Sequence, residues 1–424
     1  MYKKLTVLAC AIATTMAASS ASALQFDGFL TTGASWHDDE NKNRYIGSLG
    51  DRGVQNDASF ETDTRFGLQI SSDIAEDMSV VSQILGTGVD GNFDAIIEWA
   101  YVDYKLTDWL SIHTGKIKQP VYLVNDYVEV GYAYPWIRPP VEIYYLNNPL
   151  NTVNGIEFLL QFPVGPGMLS FQPYFGSNRD DIPNTGGAAY FEAEKIRGID
   201  VKYSGKGFTV HASSFACEVK VYGNIPDQPT ALGFNVDVNL DGEGKCEVNS
   251  AGFNLDMANV VIYAEAQNRL TNKTLSRPFG DQESWYGTLG YRFGKWLPHV
   301  TYASITGEAS TVGLATGQGA VQCASSETSC DLSPMGGPVV PGGTGFMNFP
   351  IAIQTSVTYG LRYEINDSAA LKIEHSVIDV EQDATALAEA NQGLNFGLFD
   401  SNFATMNPPG EKVGLTSIAL DVVF

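Results

Sequence analysis

Two residue pairs in this sequence could act as a nucleophile and its base. His211 and Ser213 stand two positions apart, and His375 directly precedes Ser376. A serine hydrolase also needs a third group that orients the imidazole. No such group is evident beside either pair, and a two-residue spacing of common residues is a weak signal. The sequence therefore predicts no enzyme, and a hydrolase stays only as a rival interpretation.

A second feature is the aromatic and proline-rich segment 119–145. Its rings are Tyr122, Tyr127, Tyr132, Tyr134, Trp136, Tyr144 and Tyr145. Amphipathic rings suit a surface that is partly buried and partly wet, and together with a few polar groups they can bind a sugar or an aromatic compound. Three prolines, Pro135, Pro139 and Pro140, restrict the backbone. We expect this segment to carry the function.

The N-terminus has the pattern of a secretory leader. Residues 1–4 include Lys3 and Lys4, residues 5–18 are an apolar run, and Ala21-Ser-Ala23 is a cleavage site. The sequence thus predicts a signal peptide over 1–23 and a mature chain over 24–424. A lipoprotein box ending at Cys10 is the alternative, but it would leave almost no apolar core before the cut.

Charge and cysteine content narrow the partners. The formal charge is −23, and it becomes −25 when Lys3 and Lys4 are removed, which argues against nucleic acid. An even number of cysteines in an exported chain favours disulfides, and sequence proximity suggests Cys217–Cys246 and Cys323–Cys330. No Cys/His cluster has zinc spacing, so we expect neither a metal nor a cofactor.

Period-2 hydrophobic alternation defines the secondary structure. We predict sixteen strands, at 24–36, 59–72, 78–86, 93–105, 110–119, 153–162, 168–176, 196–204, 208–219, 247–256, 260–270, 284–293, 298–305, 351–365, 370–380 and 413–424. Tight turns alternate with long loops, which is the asymmetry of outer-membrane barrels. After residue 23 no run of 18 or more apolar residues occurs, which excludes an α-helical membrane protein. The expected fold is a single all-β, antiparallel transmembrane barrel.

The last strand carries the clearest alternation. Thr416, Ile418, Leu420, Val422 and Phe424 share one face, while Ser417, Ala419 and Asp421 share the other. This arrangement resembles the C-terminal assembly signature of bacterial outer-membrane barrels, in which a final Phe follows apolar residues at every second position. We expect this strand to pair with the first strand, which would close the barrel.

The chain also resembles a Gram-negative outer-membrane porin of the sixteen-stranded general type. The resemblance rests on Arg65-Phe-Gly-Leu-Gln69, Ala100-Tyr-Val-Asp-Tyr-Lys105, Thr114-Gly-Lys-Ile-Lys-Gln-Pro120 and Phe424. It covers residues 24–424, although each motif is weak by itself. Tyr-Ala-Tyr-Pro-Trp-Ile-Arg-Pro-Pro at 132–140 is similar to a proteobacterial branch of porin-like proteins.

The resemblance implies that the third long loop folds into the lumen and narrows it. Basic wall residues would face acidic loop residues, and the pore would pass small hydrophilic solutes and ions passively, with a preference for cations. The candidate constriction residues are Arg65, Lys116, Lys118, Asp126, Glu129, Trp136, Arg138 and Glu142. Lys116 and Lys118 share the parity of Ile112, which should face lipid, so a bulge must re-aim them or they snorkel.

Four residues, Asp63, Arg292, Arg362 and Glu364, are expected on the lumen wall. For Arg292 and Arg362 a structural ion pair with a neighbouring strand is an equal interpretation. The resemblance further implies a homotrimer in the outer membrane, with lipid and lipopolysaccharide around it and the barrel-assembly machinery recognising Phe424. Acidic loops beside lipopolysaccharide would suggest bound divalent cations.

Three alternatives to a general diffusion channel remain open. The aromatic segment could bind one solute class, as in a substrate-specific channel. His211 and Ser213 could belong to a barrel hydrolase. They lie on the strand face opposite to Val210 and Ala212, however, and so point into the lumen, whereas a lipid-cleaving site should face the bilayer. A structural or adhesive barrel is the third alternative.

Overall fold

The computed structural model describes residues 24–39, 44–45, 53–54, 56–88, 93, 95–144, 151–181, 189–229, 235–239, 242–271, 281–307, 310–314, 345–349, 352–381, 398–400 and 412–424. The predicted leader, Cys323 and Cys330 lie outside these residues. Among the described residues no helix is long and apolar enough to cross a membrane.

Sixteen strands build the barrel, and each contains one of the predicted strands or most of it. They are β1 Gln25–His37, β2 Arg65–Ala75, β3 Met78–Thr87, β4 Ala95–Thr107, β5 Leu110–Lys118, β6 Thr152–Val164, β7 Gly167–Asp181, β8 Ala189–Gly205, β9 Phe208–Pro229, β10 Gly242–Met257, β11 Val260–Thr271, β12 Gln282–Tyr291, β13 Trp296–Gly307, β14 Ile353–Asn366, β15 Ala369–Val380 and β16 Lys412–Val423.

Each strand pairs antiparallel with its neighbours, and β1 closes the ring by pairing with both β2 and β16. At this seam Phe29 faces Val423, and the backbone groups of Gly28 and Phe424 exchange two hydrogen bonds of 2.7 and 2.9 Å. The predicted pairing of the first and last strands is therefore confirmed. Closure leaves no barrel strand as a free edge.

Side chains alternate between the two faces as the sequence predicts. In β16, Ser417, Ala419 and Asp421 are buried inside, whereas Ile418 points outward. Leu289, Tyr359 and similar large apolar side chains on other strands are also exposed on the outside. The barrel thus has an apolar outer surface and polar inner positions.

The sheet is extended on one side, where β8, β9 and β10 contain 17, 22 and 16 residues. Cys217 of β9 lies opposite Cys246 of β10, and the two form a disulfide. This bond is one of the two expected from the sequence. Short strands outside the ring pair residues 44–45 with 399–400 and 310–314 with 345–349, and residues 235–239 extend β9.

Candidate functional site

The aromatic segment leaves β5 at Gln119 and lies inside the barrel. It forms two single 3-10 turns, Asn125–Tyr127 and Gly131–Ala133, and the one-turn helix α1, Val141–Tyr144. The helix begins directly after Pro140, whose carbonyl oxygen accepts the amides of Ile143 and Tyr144 at 3.1 Å each. We call residues 119–144 the inner loop. Its place in the lumen agrees with the expected path of the third loop.

Trp136 anchors the centre of the inner loop. Its indole nitrogen donates to the hydroxyls of Thr288 on β12 and Thr301 on β13, at 3.0 Å each, and its side chain is 1% exposed. The rings of Tyr263 and Tyr286 pack against it edge-on at 4.7 and 5.6 Å. The structure thus buries the Trp136 side chain between the loop backbone and the barrel wall, and not at a surface where a solute could stack on the ring.

Two wall cations hold the lower part of the inner loop by its backbone. Arg362 on β14 donates to the carbonyl oxygens of Tyr132 and Tyr134 at 2.7 Å each, and to the Glu364 carboxylate at 2.8 Å. Arg362 and Glu364 thus both lie on the inner wall. Arg362 forms an ion pair with Glu364, which was the alternative to a role in the pore, and it also binds the loop backbone.

Lys372 on β15 is the second of these cations. Its ammonium donates to the carbonyl oxygens of Gly131 and Trp136 at 2.5 Å each and lies 2.8 Å from the Asp421 carboxylate. The side chain is fully buried. Since burying a charge is costly unless it is paired, this position requires the loop carbonyls and Asp421 together.

Arg65 on β2 also faces inward and reaches the loop. Its guanidinium donates to the Tyr134 hydroxyl at 2.7 Å and to the Ile137 carbonyl oxygen at 3.2 Å. The side chain remains partly accessible. Arg65 therefore touches the inner loop, and its hydrogen-bond partners there are neutral polar groups.

Arg138 and Asp63 form the closest contact between an opposite pair of loop and wall charges. The guanidinium donates to the two Asp63 carboxylate oxygens at 2.6 and 2.7 Å and to the Ser417 hydroxyl at 2.8 Å. Here the loop contributes the cation and the wall region the anion, which reverses the arrangement expected from the sequence.

Glu142 in α1 also departs from its expected place. It is buried, and its carboxylate accepts hydrogen bonds from Ser356 at 2.7 Å and Gln354 at 3.1 Å, both on β14. The structure places it against the wall and not at the accessible edge of the loop. Two donors on β14 satisfy the carboxylate there, which offsets the cost of burying it.

Glu265 on β11 receives the two ends of the inner loop. Its carboxylate accepts the Leu123 amide at 2.8 Å and the Tyr144 hydroxyl at 2.6 Å. Burial, reinforced by the Glu265 charge, raises the pKa of the Tyr144 phenol well above its ordinary value. Tyr144 therefore stays protonated and continues to donate to Glu265 at ordinary pH.

His211 lies between Glu265 and Asp200. Its two ring nitrogens are 3.2 and 2.9 Å from these carboxylates, which is the pattern of an imidazolium that donates twice. Ser213 donates to the Val121 carbonyl oxygen at 2.5 Å. Since His211 has both nitrogens engaged by carboxylates and Ser213 bonds elsewhere, this pair lacks the contact that activates a serine.

The other histidine pair is likewise engaged away from its serine. His375 lies 3.0 Å from the Thr416 hydroxyl, and Ser376 shares a 2.7 Å hydrogen bond with Thr358. His375 and Ser376 are consecutive residues of β15 and so project from opposite faces of the strand, toward β16 and β14 respectively. The pair therefore cannot meet as base and nucleophile.

The accessible edge of the inner loop carries acid. Asp126 is exposed and lies 2.9 Å from Lys202 on β8, while Glu129 is partly exposed and is a charged neighbour of Arg65. On the facing wall the Asp103 and Glu157 carboxylates lie 3.5 and 3.0 Å from the two ring nitrogens of His113. This edge and the β2–β8 wall bound the part of the lumen that the loop leaves accessible.

Lys118 and Lys116 diverge at the end of β5. A bulge occurs in neighbouring β4, where Glu98 is the extra residue, and its buried carboxylate lies 2.6 Å from the Lys118 ammonium. Lys116 instead shares the exposed outer face and donates to the Ile97 carbonyl oxygen at 2.8 Å. The structure therefore places Lys116 outside the lumen and gives Lys118 a wall carboxylate as its partner.

Arg292 also has a structural partner. It pairs with Asp256 across the β10–β12 wall and lies 3.7 Å from Glu364. This supports the ion-pair interpretation. Among the described residues no group of three or more His, Cys, Asp or Glu side chains is arranged to hold a metal ion.

Sequence reasoning missed Lys372, Glu374 and Glu265. All three occupy inward positions of otherwise regular strands, for example Lys372 and Glu374 on either side of Ile373. The Glu374 carboxylate accepts the Ile137 amide at 3.0 Å. The sequence does contain a signal for them: a charged residue at a lumen-facing position of a strand, in a chain with an aromatic loop that could bind it.

Comparison with known proteins rests on structure. No family model and no curated protein matches this chain. Outer-membrane expressed OmpT of Vibrio cholerae has a TM-score of 0.55 at 11% identity, covering 96% of this chain and 100% of that chain. OmpF of Salmonella typhi, in a complex with daunomycin, has a TM-score of 0.52 at 13% identity, covering 95% and 98%. A trimer form of the Vibrio OmpT has a TM-score of 0.54 at 11% identity, covering 96% and 100%. These likenesses show that the chain has the closed antiparallel barrel fold of such outer-membrane proteins.

Proposed function

We propose that this protein is a passive channel of the Gram-negative outer membrane for small hydrophilic solutes and ions, with a preference for cations. The observation that carries the proposal is the inner loop, which lies within a closed barrel and leaves polar side chains accessible along the β2–β8 wall. A water-filled path along these side chains spares a polar solute the cost of entering hydrocarbon.

The outer surface supports the membrane location. Besides its apolar side chains, it carries aromatic pairs at the tight-turn end, such as Trp109 stacked on Phe162 and Trp296 beside Tyr363 at 4.4 Å. Girdles of this kind mark the interfaces of outer-membrane barrels. We include lipid, lipopolysaccharide and the barrel-assembly machinery as partners, and a homotrimer as the assembly.

The expected ion preference follows from the charges beside the accessible path. Three acids lie beside this path, Asp126 and Glu129 on the loop edge and Asp103 on the wall. The cations beside it are Arg65 and Lys202. Fixed acid along a narrow aqueous path raises the local concentration of cations. The preference weakens as salt screens these charges.

A substrate-specific channel is the second candidate. Tyr101 and Tyr127 are partly buried rings that pack against the apolar cluster beneath the loop and keep some accessible surface. Such rings, beside Asp126, could bind an amphipathic solute. In that case Tyr101 and Tyr127, and not the buried Trp136, are the stacking residues.

Planar-bilayer conductance with the reversal potential in a KCl gradient tests the proposal. We expect a cation-selective potential in the wild type that falls toward zero in Asp126→Asn/Glu129→Gln. Asp379→Asn is the matched control, since this acid lies beside Lys412 at the end of β15. A correctly folded wild type with no ion conductance contradicts the channel. Saturable block by one solute class, lost in Tyr127→Ala, favours the specific channel.

A further inference from the structure

We propose that Arg65, Arg362 and Lys372 are positioning residues that fix the width of the passage by binding the backbone of residues 131–137. We call these three cations the carbonyl clamp. The inference rests on the proposed channel function for its effect on flux, but the docking of the loop is testable without any flux.

The first argument is the number and type of acceptors. The clamp residues donate to the carbonyl oxygens of Gly131, Tyr132, Tyr134, Trp136 and Ile137. A buried carbonyl oxygen needs a donor, and residues 131–137 form only one single 3-10 turn. The wall thus supplies donors that a regular helix or strand would supply from its own backbone.

The second argument is the fit of Gly131. A Cβ atom at this position would lie 2.2 Å from an Asp421 carboxylate oxygen and 2.7 Å from the Thr31 hydroxyl. Thr31 itself donates to Asp421 at 2.6 Å. Only a glycine allows the backbone to approach this wall so closely. The loop is therefore seated in one defined position.

The third argument is placement. The clamp residues stand on β2, β14 and β15, on the two sides of the seam between β16 and β1, whereas the loop enters and leaves at β5 and β6. The loop is thus held at its ends on one part of the ring and by the clamp on another. The stretch between them includes Asp126 and Glu129, so a loop released from the clamp would change the width beside these residues.

The clamp should affect width without setting ion preference. The Lys372 charge is buried under the loop and balanced by Asp421, and Arg362 is balanced by Glu364. Arg65 is partly accessible and borders the passage, so it contributes to both properties. Lys372 and Arg362 are therefore the residues with which to test positioning.

The test measures chymotrypsin cleavage after Tyr127 and Tyr132 in the folded, membrane-inserted protein, together with single-channel conductance. Lys372→Met should increase the cleavage rate roughly tenfold or more, since losing charge-assisted hydrogen bonds shifts a docking equilibrium by such a factor. Conductance should rise or flicker between levels. Lys412→Met is the matched control, because that lysine is largely exposed and contacts Asp379.

Arg362→Gln is the second variant, since Glu364 keeps Arg292 as a neighbour when the guanidinium is lost. Wild-type cleavage rates in folded variants overturn the proposal. Hydrogen exchange in the wild type adds a test that needs no variant: the Ile137 amide should exchange as slowly as the amides of β15, and fast exchange there overturns the docking. If cleavage rises in a protein that never conducts, the clamp stands and the channel function fails.

Discussion

The Arg138 guanidinium of the inner loop binds both carboxylate oxygens of Asp63, which precedes β2, at 2.6 and 2.7 Å. Ser35 and Ser417, from β1 and β16, add hydrogen bonds to this pair. The contact therefore joins the loop to both sides of the barrel seam. It also neutralises charge that would otherwise lie free in the lumen.

Removing one partner of this pair should destabilise the barrel. Asp63→Asn leaves Arg138 without its counter-ion in a mostly buried place, and we expect a loss of about 3 to 5 kcal/mol in the free energy of unfolding. Asp63→Asn/Arg138→Met should recover part of the loss. Urea unfolding of the refolded barrel in lipid, followed by its heat-modifiable gel mobility, measures both, and equal losses in the single and double variants would contradict the coupling.

Substitution of Trp136 should separate packing from hydrogen bonding. Trp136→Ala leaves a cavity among Tyr263 and Tyr286 and should cost about 3 to 5 kcal/mol. Trp136→Phe keeps most of the ring but loses the donor to Thr288 and Thr301, and should cost about 1 kcal/mol. The same unfolding assay applies. A solute-binding defect in Trp136→Phe without any change in stability would show that this ring meets the solute.

Loss of His211 should weaken the attachment of the inner loop. His211→Ala leaves the carboxylates of Asp200 and Glu265 facing each other without a cation between them, so we expect a loss of about 3 to 5 kcal/mol in stability. His375→Ala, in a more exposed position on β15, serves as the control. Assays with lipid and ester substrates should show no hydrolysis by the wild type, and activity that disappears in His211→Ala would establish the enzyme instead.

Reduction of the disulfide should loosen the extended wall and spare the barrel. Cys217 and Cys246 are 29 residues apart, and opening a loop of this size should cost about 3 kcal/mol in local stability. Hydrogen exchange of the outer parts of β9 and β10 should speed up in Cys217→Ser/Cys246→Ser. Conductance should stay unchanged. Loss of conductance with intact β9 and β10 exchange would place the bond at the passage instead.

Much of the fold can be predicted from the sequence, because alternate residues of a barrel strand face lipid and the lumen and differ in polarity accordingly. The alternation of Ser417 and Ile418 fixes which face meets the lumen, and the terminal run ending in Phe424 identifies the closing strand. These patterns are local, so they can be interpreted without knowing which residues contact each other in the folded barrel. The tyrosines and prolines of the inner loop likewise indicate an ordered segment.

The partners inside the barrel depend on the path of the loop, and local periodicity does not contain that path. Arg138 and Asp63 are 75 positions apart, and Lys372 and Gly131 are 241 apart. The sequence identifies the charges but not which of them meet. The bulge at Glu98 makes prediction harder for a second reason. One extra residue in β4 changes which side chains of that strand face inward and which of them meets Lys118.

The unequal strand lengths have a consequence for the outside of the cell. A barrel strand needs about 9 to 11 residues to cross a bilayer, and β9, with 22, must continue well beyond the hydrocarbon. Outer-membrane barrels have their tight turns on the periplasmic side, and β9 begins at the tight turn 205–207, so we propose that its far end is extracellular. There it forms a hydrogen-bonded sheet with β10 that is cross-linked by a disulfide. It is a shaped epitope, which an antibody raised against the folded protein should recognise and which boiling with a reductant should erase.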